Sequence, residues 1–348
     1  MKPYYREQIE KKDWSPISLD GQGRPLFPER VHLPCGVELM PLKEVSLTVS
    51  RVDFAEAVWF FESALGVQVI RDASLSALIV FRKGETRMRV IGDPGLPDYD
   101  SRIVGLPNMR GLRHLAFWVD GDLRAFAEQL SKSLKGHGYL PENQSLIEVF
   151  SNQNKQIAYF HGPGGVLLEL MQYTDSVDSL SSLDLPRDPA SERVKSSPFG
   201  PSIECIDHVN IVTADLNATL RIFIQCLGFS VVPGRFGRLS GPWIDNVTRL
   251  KGVDAYYVAL EVPGGRTKLE LIEYRHPASP MRLETTDTGR SAGLSALAFA
   301  TNDLKGLAEH VQRYSGAAAS VVHNPSGLNF MLRTNDGVEI VINEKGAD

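Results

Sequence analysis

Apolar and polar positions follow a pattern that comes round four times along this chain. Residues 53–66 read DFAEAVWFFESALG and residues 215–228 read DLNATLRIFIQCLG, each opening on Asp and closing on Leu-Gly. Phe54, Val58, Phe61 and Leu65 in the first stretch match Leu216, Leu220, Phe223 and Leu227 in the second. That is the i, i+4, i+7, i+11 spacing of one stripe on an amphipathic helix. Asp53 and Asp215 stand where an N-cap belongs, and Gly66 and Gly228 where a left-handed stop belongs. A second pair, GLRHLAFWVDGDLRAFAEQL (111–130) and GLSALAFATNDLKGLAEHV (293–311), matches with one residue of slack at Gly121. Short β-like runs precede the helices at 45–50, 113–119, 207–213 and 295–301. Further strand-like runs follow each helix, and the turn sequences GPGG (162–165), PGG (263–265) and NDG (335–337) separate the last two strands in three of the repeats.

The pattern predicts four β-α-β-β-β modules, at about 43–92, 110–174, 203–276 and 292–346. A polar arm over 1–42 precedes them. A connector over 175–202, rich in Ser, Asp and Pro and without periodicity, divides a first half, 43–174, from a second, 203–348. Composition narrows the function classes. With 37 Lys and Arg against 42 Asp and Glu, the formal charge is -5, which argues against a nucleic-acid partner. No apolar run reaches the roughly 18 residues that cross a bilayer, and the N-terminal sequence lacks the apolar core of a secretory signal. Three scattered cysteines, Cys35, Cys205 and Cys226, fit neither a disulfide framework nor a thiolate metal site, so the expected compartment is the reducing cytoplasm.

Comparing the repeats position by position brings out the chemistry. His208 lies seven residues before Asp215, and the same offset from Asp53 lands on Ser46; His114 and Ala296 take this place in the second and fourth modules. In the last strand Glu169 lies within LLELMQY and Glu270 within KLELIEY, while the fourth module offers Glu339 and the first Arg89. A carboxylate between two leucines of a strand points to the face opposite them. Enclosed in a curved sheet, it has to be paired or metal-bound, because burying it bare costs several kcal/mol. A His and a Glu from each of two modules make a His2Glu2 set, which suits zinc, iron, manganese, cobalt or nickel. Taken singly, each of these residues has an ordinary structural explanation; the shared register of two repeats is what favours ligands.

Four such modules, with His on the first strand and Glu in an xLELxxY last strand, resemble the vicinal oxygen chelate superfamily, which includes glyoxalases, bleomycin-resistance proteins and extradiol dioxygenases. The resemblance covers nearly all of 43–346. It implies an α+β fold in which modules pair into open β-barrels, one metal-bound and one vacant. It implies one divalent metal ion, zinc first among the candidates, with His114, Glu169, His208 and Glu270 as ligands. Pairing module two with three puts all four in one barrel. Ser46, Arg89, Ala296 and Glu339 then fall to the vacant barrel, where Arg89 and Glu339 are expected to face each other as an ion pair. The family's chemistry implies an isomerase or epimerase that removes a proton α to a chelated carbonyl of a small oxygenated substrate, including cyclitol ketones of the valiolone type. Glu169 and Glu270 are the catalytic carboxylates in that reading. An extradiol-type dioxygenase and a metal-free binding protein are the alternatives; Ala296, where the dioxygenase branch carries His, counts against the former.

The long connection at 234–260 offers Arg235, Trp243, Asn246 and Tyr257 as wall residues, and Tyr99, Arg102 and Asn108 are further candidates. Tyr173 and Tyr274 are expected at the barrel rim. His137, His161, His276 and His323 read as structural, with His161 nearest the Glu169 strand. A small-molecule substrate is the expected partner, with no nucleic acid and no membrane, and covering of exposed sheet edges by a second copy would give a homodimer.

Overall fold

A computed structural model describes residues 26–96, 107–137, 139–140, 146–151, 155–173, 200–280, 292–316, 319–323 and 329–346. Tyr99 and Arg102 lie outside them. The first module contributes β1 (Glu44–Ser50), β2 (Gln68–Ala73), β3 (Ser76–Val80) and β4 (Arg87–Asp93), and the second β5 (Gly111–Asp120), β6 (Val149–Ser151), β7 (Lys155–His161) and β8 (Leu167–Tyr173). The third supplies β9 (Ser202–Val212), β10 (Ser230–Ser240), β11 (Asp254–Glu261) and β12 (Lys268–His276). The fourth supplies β13 (Gly293–Thr301), β14 (Ala319–His323), β15 (Asn329–Thr334) and β16 (Glu339–Glu344).

These strands form two curled eight-stranded sheets, in the orders β14-β15-β16-β13-β1-β4-β3-β2 and β10-β11-β12-β9-β5-β8-β7-β6. Module one therefore shares a sheet with module four, and module two with module three. Each sheet takes four strands from each half of the chain. At the seams β1 meets β13, and β5 meets β9, antiparallel. One apolar core, with residues from all four modules, includes the helix-facing sides of both sheets. A smaller cluster, with Ala116, Ile157, Met171, Val212 and Ile272, lines the inside of the second sheet.

The helices in modules one and three carry a shared irregularity. Each runs as an α-helix (Phe54–Trp59, Leu216–Arg221) and then widens into a π-helical turn (Phe60–Ala64, Ile222–Cys226). In the first, Leu65 N–H bonds the Phe60 carbonyl at 3.0 Å, and the wider turn buries Phe60 together with Phe61. Gly66 and Gly228 take the left-handed conformation, with φ of 68° and 74°. Asp215 caps its helix by accepting from Ala218 N–H at 2.9 Å. Asp53 does not cap: its carboxylate accepts from the Ser50 hydroxyl at 2.8 Å instead.

The seams are bulged, and this places the site. Leu112 and Leu115 pair with Ile211 and Val209, so Arg113 and His114 together oppose Asn210. Ala116 and Phe117 pair with His208 and Ile206, which leaves Asp207 as an extra residue on β9. A bulge lets two neighbouring side chains escape strict alternation. Here it turns a His toward the barrel interior from each side of the seam.

Candidate metal centre

Four side chains converge on the floor of the second sheet. His114 Nε2 lies 3.1 Å from His208 Nε2. Glu169 Oε2 is 3.5 Å from both imidazole nitrogens, and Glu270 Oε2 is 3.6 Å from His114 Nε2 and 3.7 Å from His208 Nε2. Backbone register explains the convergence: Glu169 pairs with Ala116 and Glu270 with Asn210, in each case two residues beyond the His on the first strand and so on the same face. His114, His208 and Glu270 present ligand atoms mutually within 4.8 Å.

Their electrostatics are lopsided. Burial, with His208 adding to it, pushes the His114 pKa down to about 3. Burial also works against charge on His208, but Glu270, Asp207 and Glu169 outweigh it and lift that imidazole to about 10. For Glu169 burial is opposed by Lys155 and the two histidines, which hold the carboxyl at about 2.

A divalent ion fits this set. Two imidazole nitrogens facing each other at 3.1 Å need a cation or a shared proton between them. Glu169 Oε1 is buried with no hydrogen-bond partner among the described residues. The donor set of two imidazoles and two carboxylates is one that borderline divalent ions prefer.

The two carboxylates differ in freedom. Tyr159 donates to Glu169 Oε2 at 2.6 Å, and Lys155 lies 3.9 Å from Oε1, leaving the side chain 2% exposed. Burial, with Glu169 beside it, raises the Tyr159 hydroxyl well above its ordinary range and keeps it a donor. In the third module Ala259 holds the place of Tyr159: it pairs with Glu270 as Tyr159 pairs with Glu169. Glu270 is accordingly 22% exposed, its side chain bonded to Asn210 Nδ2 at 3.2 Å.

Residues 205–342 match the model of the glyoxalase/bleomycin resistance protein/dioxygenase superfamily. Over modules three and four the chain is similar to this superfamily. Glyoxalase I from Zea mays has a similar structure (TM-score 0.57, 15% identity, 88% of this chain and 93% of that one), as does a mutant of it (0.59, 15%, 89% and 94%). A candidate dioxygenase from Bacillus subtilis is a further neighbour (0.51, 12%, 89% and 86%). At these identities the likeness concerns the fold. No curated protein sequence matches the chain.

Superfamily members bind a divalent metal, and in the other sheet the sister module pair lacks the two histidines and two glutamates. Thr86 and Thr267 stand at matching places: their hydroxyls lie 2.7 Å apart, one donating to the other, and each is within hydrogen-bond reach of a carbonyl, of Leu42 and of Ile206 respectively. This makes Glu44, rather than Ser46, the counterpart of His208, and Arg89 the counterpart of Glu270. The connection into the first helix is two residues longer, so counting back seven from Asp53 stops two residues short. Ala296 matches His114, but it pairs with Glu339, whereas Ala298 pairs with Val341. Val341 therefore takes the place of Glu169, and Glu339 lies one register step away.

The expected Arg89–Glu339 pair is not formed. Arg89 Nε bonds Glu44 at 2.9 Å and its Nη1 bonds Asp72 and Ser76, while Glu339 pairs with Arg333 on the neighbouring strand. Each charge is matched inside its own module.

Of the expected wall residues, Arg235 and Tyr257 are half-buried, and Tyr257 packs on the interior cluster. Trp243 and Asn246 are exposed, because the helix Pro242–Thr248 turns Ile244 and Val247 inward. Asn108 is a clip between loops, donating to the carbonyls of Pro277 and Ala278 at 3.1 and 3.2 Å. His137 stacks on Trp59, and His161 lies at the end of β7 with its pKa pushed down to about 4 by burial.

Sequence reasoning missed Asp207. Its Oδ2 lies 3.0 Å from His208 Nδ1 and its Oδ1 3.3 Å from Lys268 Nζ. A carboxylate on Nδ1 leaves Nε2 facing the cluster, where it would be the nitrogen to coordinate an ion and a stronger donor. Asp207→Asn is expected to weaken divalent-metal affinity by about 10–100-fold, read by calorimetric titration. Unchanged affinity would remove Asp207 from this role.

Proposed function

We propose that this protein is a metal-dependent isomerase or epimerase that moves a proton at the carbon next to a chelated carbonyl. The observation that supports it is the meeting of two histidines and two glutamates from modules two and three, with one glutamate buried under a tyrosine and the other partly open to the interior. His114, Glu169, His208 and Glu270 would hold the ion, which when bound supplies Lewis acidity toward a substrate carbonyl.

The protein's own groups divide the remaining work. Glu270, opened to the interior by Ala259, takes the proton from the α-carbon at Oε2. Glu169, fixed by Tyr159, holds its place as the substrate changes. Return of the proton by Glu270 to the neighbouring carbon on the same face gives isomerisation; epimerisation takes a proton from the Tyr159 hydroxyl on the opposite face, the proton held by Glu270 passing to solvent and the phenol regaining one from it. A ring-cleaving dioxygenase has less support, since two imidazoles and one carboxylate suffice for it and a second carboxylate stands here.

The test is metal analysis of the purified protein followed by incubation of α-hydroxy ketones in D2O. Solvent deuterium at the α-carbon with no O2 uptake is the expected result. Oxygen consumption without exchange would overturn the reading.

A further inference from the structure

At one corner of the same barrel is a cation with little to hold. Arg235 on β10 donates from Nη2 to the Tyr173 hydroxyl at 3.0 Å, and its guanidinium carbon lies 5.7 Å from that ring's centre. Among the described residues this phenol is its one hydrogen-bond partner, and no carboxylate comes within ion-pairing distance. Asp207, whose charge it senses, is already matched by Lys268 at 3.3 Å and by His208 at 3.0 Å. A half-buried guanidinium presents a planar fork of donors suited to a carboxylate or phosphate, and leaving them unmet is costly.

The surroundings fit a ligand better than a structural role. Trp118, on the strand face of His114 and Ala116, is 41% exposed and meets Tyr173 edge-on at 5.9 Å. An exposed indole beside an under-used guanidinium offers an apolar floor and an anion anchor together. Tyr173 follows Glu169 by four residues on one face of β8, so the corner lies within about 13 Å of the metal ligands.

We propose that Arg235, with Tyr173 and Trp118, binds an anionic oxygen group of the substrate, a carboxylate or a phosphate. The substrate's adjacent oxygens take the metal position, and in this the proposal rests on the chelate reading above. The substrate class is then a short acid or phosphate ester carrying a chelating oxygen pair at its far end.

Matched probes test this. Adipic acid monohydroxamate and hexanohydroxamate share a chelating head and a chain length, and differ in a terminal carboxylate against a methyl. Calorimetric Kd values are measured on cobalt-loaded protein, and ligand-observed NMR compares the same pair on metal-free protein. The expected result is a preference of about tenfold for the carboxylate, abolished in Arg235→Met, partly kept in Arg235→Lys, with hexanohydroxamate unaffected. A phosphonate-ended analogue that binds tighter still would assign the corner to phosphate. Equal binding of the pair by the unmodified protein, or equal weakening of both in Arg235→Met, would overturn the proposal. Failure to take up cobalt would count against the chelate alone, and the metal-free comparison would still decide the corner.

Discussion

Glu270→Gln is expected to slow solvent-deuterium exchange at the substrate's α-carbon by about 10²–10⁴-fold, the usual contribution of a positioned base, whereas Glu169→Gln slows it by under about tenfold per bound metal. The difference follows from what stands opposite each carboxylate. Tyr159 bonds Glu169 at 2.6 Å, and its pKa of about 2 makes it a poor acceptor for a proton leaving carbon. Ala259 leaves room beside Glu270, whose side chain is bonded to the Asn210 amide. Both variants keep an oxygen donor and both imidazoles, so rates are normalised to metal content measured on the same samples. Equal losses would point to a symmetric pair of bases and remove the division of labour between the two glutamates.

Much of this architecture is written in the hydrophobic spacing, including a part that is easily passed over. The four modules, their helices and the His-Glu register are legible because caps, stripes and stops recur together. The seam bulges are legible too, as three-residue steps where a strand should step by two: Leu112 to Leu115, Ile206 to Val209 and Leu294 to Leu297, and the apolar spacing from Leu42 to Val45, leading into β1, is the same. His114 and His208 each close such a step, and Glu44 and Ala296 hold the same places in the other sheet. Reading the steps would have chosen Glu44 over Ser46 and flagged Asp207 as the neighbour turned toward His208. Counting from the helix cap fails because the connection to the helix varies in length, and length carries no hydrophobic signal. The same limit applies to Trp243 and Asn246. Which face of a seven-residue insertion such as Pro242–Thr248 looks inward depends on the sheet beneath it, and Ile244 and Val247 win that face by burying more apolar area. The π-helical turns escape periodicity for a related reason, since one extra residue per turn leaves the apolar stripe continuous.

Loading the metal-free protein with zinc or cobalt is expected to release about one proton near pH 7, and that proton is expected to come from one named residue. His114, with its pKa near 3, is already neutral, and Glu169, near 2, is already ionised. His208, lifted to about 10, carries a proton that the ion must displace. Apparent affinity should therefore rise about tenfold per pH unit from about pH 7 to 9. Titrations in buffers of different ionisation enthalpy count the protons directly. The same residue sets an opposite trend for the metal-free fold. A folded pKa above the unfolded value of about 6.5 gives stability that is fully present below that value and fades as pH rises through about 10. In that window His114 is uncharged whether folded or not and offsets nothing. Melting temperature should thus fall with pH without metal and hold or rise with it. His114→Ala and His208→Ala should each weaken metal binding by about 10²–10³-fold, one ligand's share of a four-ligand site. Their proton counts should differ: His114→Ala still releases the proton, and His208→Ala has none to release. Equal counts in the two variants would place the proton elsewhere and undo the electrostatic description of the site.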